Sequence, residues 1–228
     1  MWWTDMPVTL EVEVRILSRC IQGMVFISSS HADMTVFPPS PSFPYPLEEP
    51  INRLGTRTSG HEDKGVTVLF NFSRAILAYL VNKFGESDDP LYPKDPKKRA
   101  LVDQRLYFDI GTLYQRFGDY CYPVIFNGAE FEPEKLAKLE EAVQFLDKFL
   151  EGQQWVAGSN LTIADISIVV TLSSAEVLGY SVNPSKYPNV SRWLIKAKKT
   201  IPGYAELNGP GLKDLKGLLD VAPGNKNK

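Results

Sequence analysis

Gln104-Arg105-Leu106-Tyr107-Phe108-Asp109-Ile110-Gly111-Thr112-Leu113-Tyr114-Gln115-Arg116-Phe117 is the stretch on which the reading of this chain turns. Tyr107, Tyr114 and Phe117 recur at about 3.5 residues, so they are expected to share one face of a helix. The helix is expected to run over 96–119, opened by Pro96 in its first turn, where a missing N–H costs nothing. Helical patterning continues on both sides. Ser73 to Phe84 places Ile76, Leu77, Leu80 and Phe84 on one stripe. Pro133 opens a helix with Leu136, Leu139, Val143, Leu146 and Phe149 or Leu150 inward, and Gly152 is placed to stop it. Residues 162–178 are apolar almost all round, which predicts the buried centre of a helical domain. Residues 190–200 predict another helix, stopped by Pro202-Gly203, and 212–219 a short last one.

Thr162-Ile163-Ala164-Asp165 reads as a capping box with Asp in place of the commoner Glu. Leu161 and Ile166 fit a hydrophobic staple around it. Thr162 and Asp165 are therefore expected to do folding chemistry, not catalysis.

The first 66 residues differ. Residues 8–17 alternate apolar and polar like a half-buried strand, and 23–27 suggest a second strand. Pro38-Pro39-Ser40-Pro41-Ser42-Phe43-Pro44-Tyr45-Pro46 admits neither helix nor inner strand, because each proline fixes φ and removes a donor. Residues 50–65 are polar loop. The expected organisation is an N-terminal region over 1–66, poorly ordered after its first strand. A last strand and a helix over 67–85 follow, then an all-helical domain over 86–220 and a flexible tail over 221–228. The fold class is mainly α, with a few short strands ahead of a helical bundle.

Composition narrows function by exclusion. Hydrophobic residues make up 43%, enough for a packed core. A net charge of -2 without a basic block argues against nucleic acid or an anionic membrane as partner. No segment is long and apolar enough to span a bilayer, and Met1-Trp2-Trp3-Thr4-Asp5 does not open a secretory signal. Cys20 and Cys121 form no CxxC or zinc pattern, so a reduced intracellular protein is expected. His31 and His61 read as solvated loop side chains, and no metal site is expected.

Several segments together resemble insect delta-class glutathione transferases over about 73–207. They are Ser73-Arg74-Ala75-Ile76, Leu91-Tyr92-Pro93-Lys94-Asp95, the aromatic run at 104–117, Asp119-Tyr120-Cys121-Tyr122-Pro123, Phe149-Leu150-Glu151-Gly152, the box at Thr162 and Tyr187-Pro188-Asn189-Val190-Ser191-Arg192-Trp193. The resemblance implies a thioredoxin-like domain that binds glutathione and a helical domain lining the pocket of an apolar electrophile. It implies a cytoplasmic homodimer with glutathione as co-substrate and no other cofactor. Ser73 and Arg74 match the last two members of a Glu-Ser-Arg triplet that holds the γ-glutamyl end of glutathione. Tyr107, Phe108, Tyr114, Phe117 and Tyr122 resemble the wall of the electrophile pocket. Local sequence alone reads Ser73 as a helix cap, Arg74 as a solvated side chain and the rings as core.

Two departures set a second reading beside the first. Phe72 stands where the triplet has glutamate, and Ser18-Arg19-Cys20 lacks the proline and glycine surroundings of the family's catalytic serine. No catalytic residue is assigned, and no segment in 1–66 resembles the family's strand preceded by a cis-proline, so an irregular N-terminal region with no complete thioredoxin-like domain is expected ahead of the helices. One reading is a transferase that conjugates glutathione to small hydrophobic electrophiles. The other is a catalytically inactive remnant whose helices bind apolar ligands or a partner.

Overall fold

The structure is a computed structural model of the chain that describes residues 26–30, 33–37, 68–70 and 73–221. The expected strand at 8–17, the proline tract, the loop at 50–65, Ser18, Cys20, Phe72, both histidines and the tail from 222 lie outside the described residues.

Within the unit Met24–Asn71, three strands form one sheet of order β2-β1-β3. They are β1 (Phe26–Ser30), β2 (Asp33–Phe37) and β3 (Val68–Phe70). Both pairings are antiparallel, with Ile27 opposite Val36 on one side and Phe70 on the other. The strand expected at 23–27 is described over 26–30, its first three expected residues lying outside the described residues, and a strand at 33–37 was not expected. Ser28, Ser29 and Ser30 carry no apolar signal, yet the backbone ladder runs through them.

The second unit is helical from its first described residue. It comprises α1 (Ser73–Phe84), α2 (Pro96–Phe108), a π-helical segment (Asp109–Leu113), α3 (Tyr114–Asn127), α4 (Pro133–Phe149), α5 (Ile163–Val177), α6 (Pro188–Thr200) and α7 (Tyr204–Asp220). Its described residues are thus mainly α, as the sequence patterning implied. Among the described residues no helix is long and apolar enough to cross a membrane.

Local chemistry explains the boundaries. Asp95 caps α2 by accepting from the Lys98 N–H at 2.9 Å, with Pro96 next in line. Gly128 ends α3 at φ 66, and Gly152 turns the chain after α4 at φ 67, a backbone region that L side chains avoid. Asp147 on α4 accepts from the Asn189 and Val190 N–H groups at 2.9 and 3.0 Å, which anchors the start of α6. Two expectations change. Phe84 is 53% exposed, and Val81 takes its place on the inner stripe because α1 ends at Phe84 itself. The short last helix extends back to Tyr204 and carries Pro210 within it. Buried Asn208, on the turn before that proline, ties α7 to Ser173 of α5 at 3.1 Å.

α5 is the axis of the unit. Every residue from Ile163 to Ala175 is buried. Its start is the expected capping box between Thr162 and Asp165. The Asp165 carboxylate accepts from the Thr162 N–H at 2.9 Å and hydroxyl at 2.8 Å, the Val156 N–H at 2.8 Å and the Trp193 indole N–H at 2.9 Å. Burial pushes the Asp165 carboxyl up, and these four hydrogen bonds pull against that shift. One side chain therefore joins the loop before α5, the start of α5 and the buried ring of α6.

Asp165→Ala leaves three buried N–H donors unpaired. It should cost about 3–5 kcal/mol in urea unfolding. Thr162→Ala should cost only about 1 kcal/mol. Cys121 is fully buried, and burial raises its thiol from an ordinary 9.0 to about 12. The folded state then holds the proton longer than the unfolded chain. This contribution to stability is complete below about pH 9 and is lost as pH climbs toward 12. In a Cys20→Ser variant, a thiol reagent at mildly alkaline pH should react only after denaturant is added.

Candidate functional site

The long helix that carries the aromatic run does not keep one phase. α2 passes into the π-helical segment at Asp109, and α3 resumes at Tyr114. A π turn holds an extra residue, which rotates everything beyond it by about 100° relative to an unbroken α-helix. Tyr107 therefore does not share the face of Tyr114 and Phe117, contrary to the expectation from spacing. It is 74% exposed, whereas Phe117 is 1% exposed.

The segment also turns Asp109 inward, to full burial. Arg74, from the first turn of α1, reaches it with Nε at 3.1 Å and Nη2 at 2.7 Å, both on Oδ2. Thr171 on α5 donates to Oδ1 at 2.9 Å, and the Ser167 hydroxyl, one turn earlier, donates to Oδ2. A buried carboxylate next to a guanidinium and two hydroxyls meets the condition under which a desolvated ion pair holds. The Arg74 side chain is only 10% exposed, so the reading of it as a solvated side chain fails.

The same guanidinium lies 5.3 Å from the centre of the Tyr114 ring, in cation–π contact. The Tyr114 and Tyr122 hydroxyls are 2.7 Å apart. Phe117 stands edge-on to Tyr122 at 5.7 Å, and Phe126 is tilted against it at 5.8 Å. Phe126 is 63% exposed, so the ring group reaches solvent. Phe108 belongs elsewhere. It meets Phe149 edge-on at 5.1 Å, beneath the Arg105 guanidinium that lies 3.7 Å from the Phe149 ring centre.

Of the residues singled out from sequence, Arg74, Tyr114, Phe117 and Tyr122 come together here. Ser73 is the first residue of α1. Tyr107 and Phe108 lie outside this ring group, and Thr162 and Asp165 form the separate capping box. Asp109, Ser167, Thr171 and Phe126 were not singled out. Only Phe126 left a sequence trace, four residues after Tyr122 on the same helix. Among the described residues no cluster of three or more His, Cys, Asp or Glu side chains is placed to hold a metal ion.

A helical unit with a cation at the head of one helix and a ring wall along another defines a class that comparison with known proteins makes specific. Residues 92–196 match the family model of the glutathione S-transferase C-terminal domain. A delta-class glutathione transferase of Nilaparvata lugens is 48% identical, with a TM-score of 0.64 over 70% of this chain and 72% of that one. An epsilon-class enzyme of the housefly, Musca domestica, is 39% identical, with a TM-score of 0.62 over 70% and 72% of the two chains. A glutathione transferase homologue of Drosophila mojavensis, solved with bound glutathione, is 36% identical, with a TM-score of 0.62 over 68% and 70%. The chain belongs to the glutathione transferase family, and these matches fall among its insect members.

Asp109→Asn leaves an acceptor for only one of the two hydroxyls and removes the charge facing Arg74. It should cost about 3–5 kcal/mol, against about 1 kcal/mol for Ser167→Ala. Urea unfolding monitored by circular dichroism would measure both, and equal losses would mean that the hydroxyl and the charge matter alike.

Proposed function

We propose that the chain acts as a glutathione transferase, binding glutathione and conjugating it to small hydrophobic electrophiles. The observation that carries this reading is the contact of Arg74 with Tyr114. It sets a cation beside an aromatic wall, and so brings a seat for a charged co-substrate next to a seat for an apolar one. Holding two reactants side by side turns a bimolecular step into an effectively unimolecular one.

On family grounds Ser73 and Arg74, at the start of α1, seat the γ-glutamyl carboxylate of glutathione, with the first-turn backbone N–H groups and the Arg74 charge favouring an anion there. The Asp109 network holds that guanidinium in place. The electrophile lies on Tyr114, Tyr122 and Phe126, with buried Phe117 backing the Tyr122 ring. In the reaction the glutathione sulfur, as thiolate, forms a bond to an electrophilic carbon. The leaving group departs with its electron pair, and the thiol proton goes to solvent. The Drosophila mojavensis homologue holds glutathione, which supports the same co-substrate here. A cytosolic homodimer completes the reading, on family grounds.

A second reading rests on Phe72, which removes the acceptor that a glutamate offers the glutathione amine. In that reading the helical unit binds apolar ligands or a partner and no thiol chemistry takes place.

Calorimetric titration with glutathione, run beside a conjugation assay with chlorodinitrobenzene, separates the two. Binding with turnover is the expected result. A helical protein that neither binds glutathione nor turns over would establish the second reading. Arg74→Lys keeps the charge and loses the forked seat on Asp109, so glutathione should bind roughly tenfold more weakly.

A further inference from the structure

Gly118 occupies the interior of α3, where glycine is the poorest choice after proline. Its backbone does not call for glycine. Among the described residues the glycines with positive φ are Gly128, Gly152, Gly158, Gly179 and Gly203. What calls for it is a ring. A Cβ at 118 would lie 3.1 Å from Cε2 and 3.2 Å from Cδ2 of Tyr122. Tyr122 is one turn onward, and long helical side chains lean back over the preceding turn. Gly111 is the contrast, since a Cβ there would meet nothing within 4 Å.

The seat matters because Tyr122 is hemmed in elsewhere. Tyr114 stands edge-on to it at 6.4 Å, Phe117 at 5.7 Å, and Phe126 lies at 5.8 Å. Its hydroxyl is within 2.7 Å of Tyr114. A methyl group at 118 makes the half-buried ring give by a few tenths of an ångström. A shift of that size disturbs the hydroxyl pair, and with it the Tyr114 ring that faces Arg74.

We propose that Gly118 is a positioning residue that sets ligand specificity. Its missing Cβ seats Tyr122 against α3, and Tyr122 in that seat fixes the contour of the ring wall. The proposal rests on the wall being the electrophile side of the site. It predicts that residue 118 tunes which apolar ligands are accepted while touching none of them.

Thermal unfolding of Gly118→Ala, in the native and Tyr122→Ala backgrounds, tests the seat. Alanine should lower the midpoint while the ring is present and raise it once the ring is gone. Gly111→Ala should raise the midpoint or leave it unchanged in both backgrounds. A rise for Gly118→Ala in both would overturn the seating. Specificity is read by displacing an anilinonaphthalene sulfonate dye with chlorodinitrobenzene and with a di-tert-butylphenol. The ratio of the two affinities should change roughly tenfold in Gly118→Ala, about what a methylene group in an apolar pocket is worth. An unchanged ratio alongside the reversal in midpoint would reduce Gly118 to a packing role and refute the specificity claim. A native protein that binds neither dye nor competitor would sink the electrophile reading and the specificity claim with it, while the midpoints still decide the seat.

Discussion

A helix buried on every side cannot leave its hydroxyls without partners, and that constraint organises this molecule. α5 brings Ser167 and Thr171 into the core, where an unpaired hydroxyl costs stability. Asp109 accepts from both. A carboxylate so deeply placed then needs a cation, and Arg74 supplies it from the head of α1. Each member makes the next necessary. The chain of requirements ends on the guanidinium that also touches the ring wall, so packing and the proposed chemistry meet in one side chain.

The π-helical segment is what permits that meeting. In an unbroken α-helix, Tyr107 and Tyr114 would nearly superimpose down the axis. The extra residue separates them, leaves Tyr107 in solvent and turns Asp109 toward α5. Two groups of rings result. One, around Phe108 and Phe149, carries Arg105. The other, around Tyr114 and Tyr122, carries Arg74. Their separation along one rod gives the aromatic run two tasks.

Much of the helical unit was legible because its boundaries are local. Pro96, Pro133, Gly152 and the Thr162–Asp165 box each act within a turn or two of their own position, and the helices start or stop beside them. The Asp109 network was not legible, because its partners lie 35, 58 and 62 residues away. An aspartate inside an amphipathic run gives no sign of whether it faces water or a distant arginine. The phase of Tyr107 was misread for a related reason. Periodicity assumes a uniform helix, and a single extra residue is invisible in the spacing of side chains. The serines of β1 were missed because their ladder is a backbone property.

Asp165 has a consequence for how the unit assembles. Its carboxylate is completed only when three pieces arrive together: the loop carrying Val156, the first turn of α5 and Trp193 of α6. Any intermediate that sequesters the α5 start before α6 docks would strand a charge short of a donor in a water-poor interior. Such half-built states lie high in energy, so the folding landscape is depleted of them. The carboxylate thereby couples the three pieces, favouring the state in which all are docked over any in which one is missing.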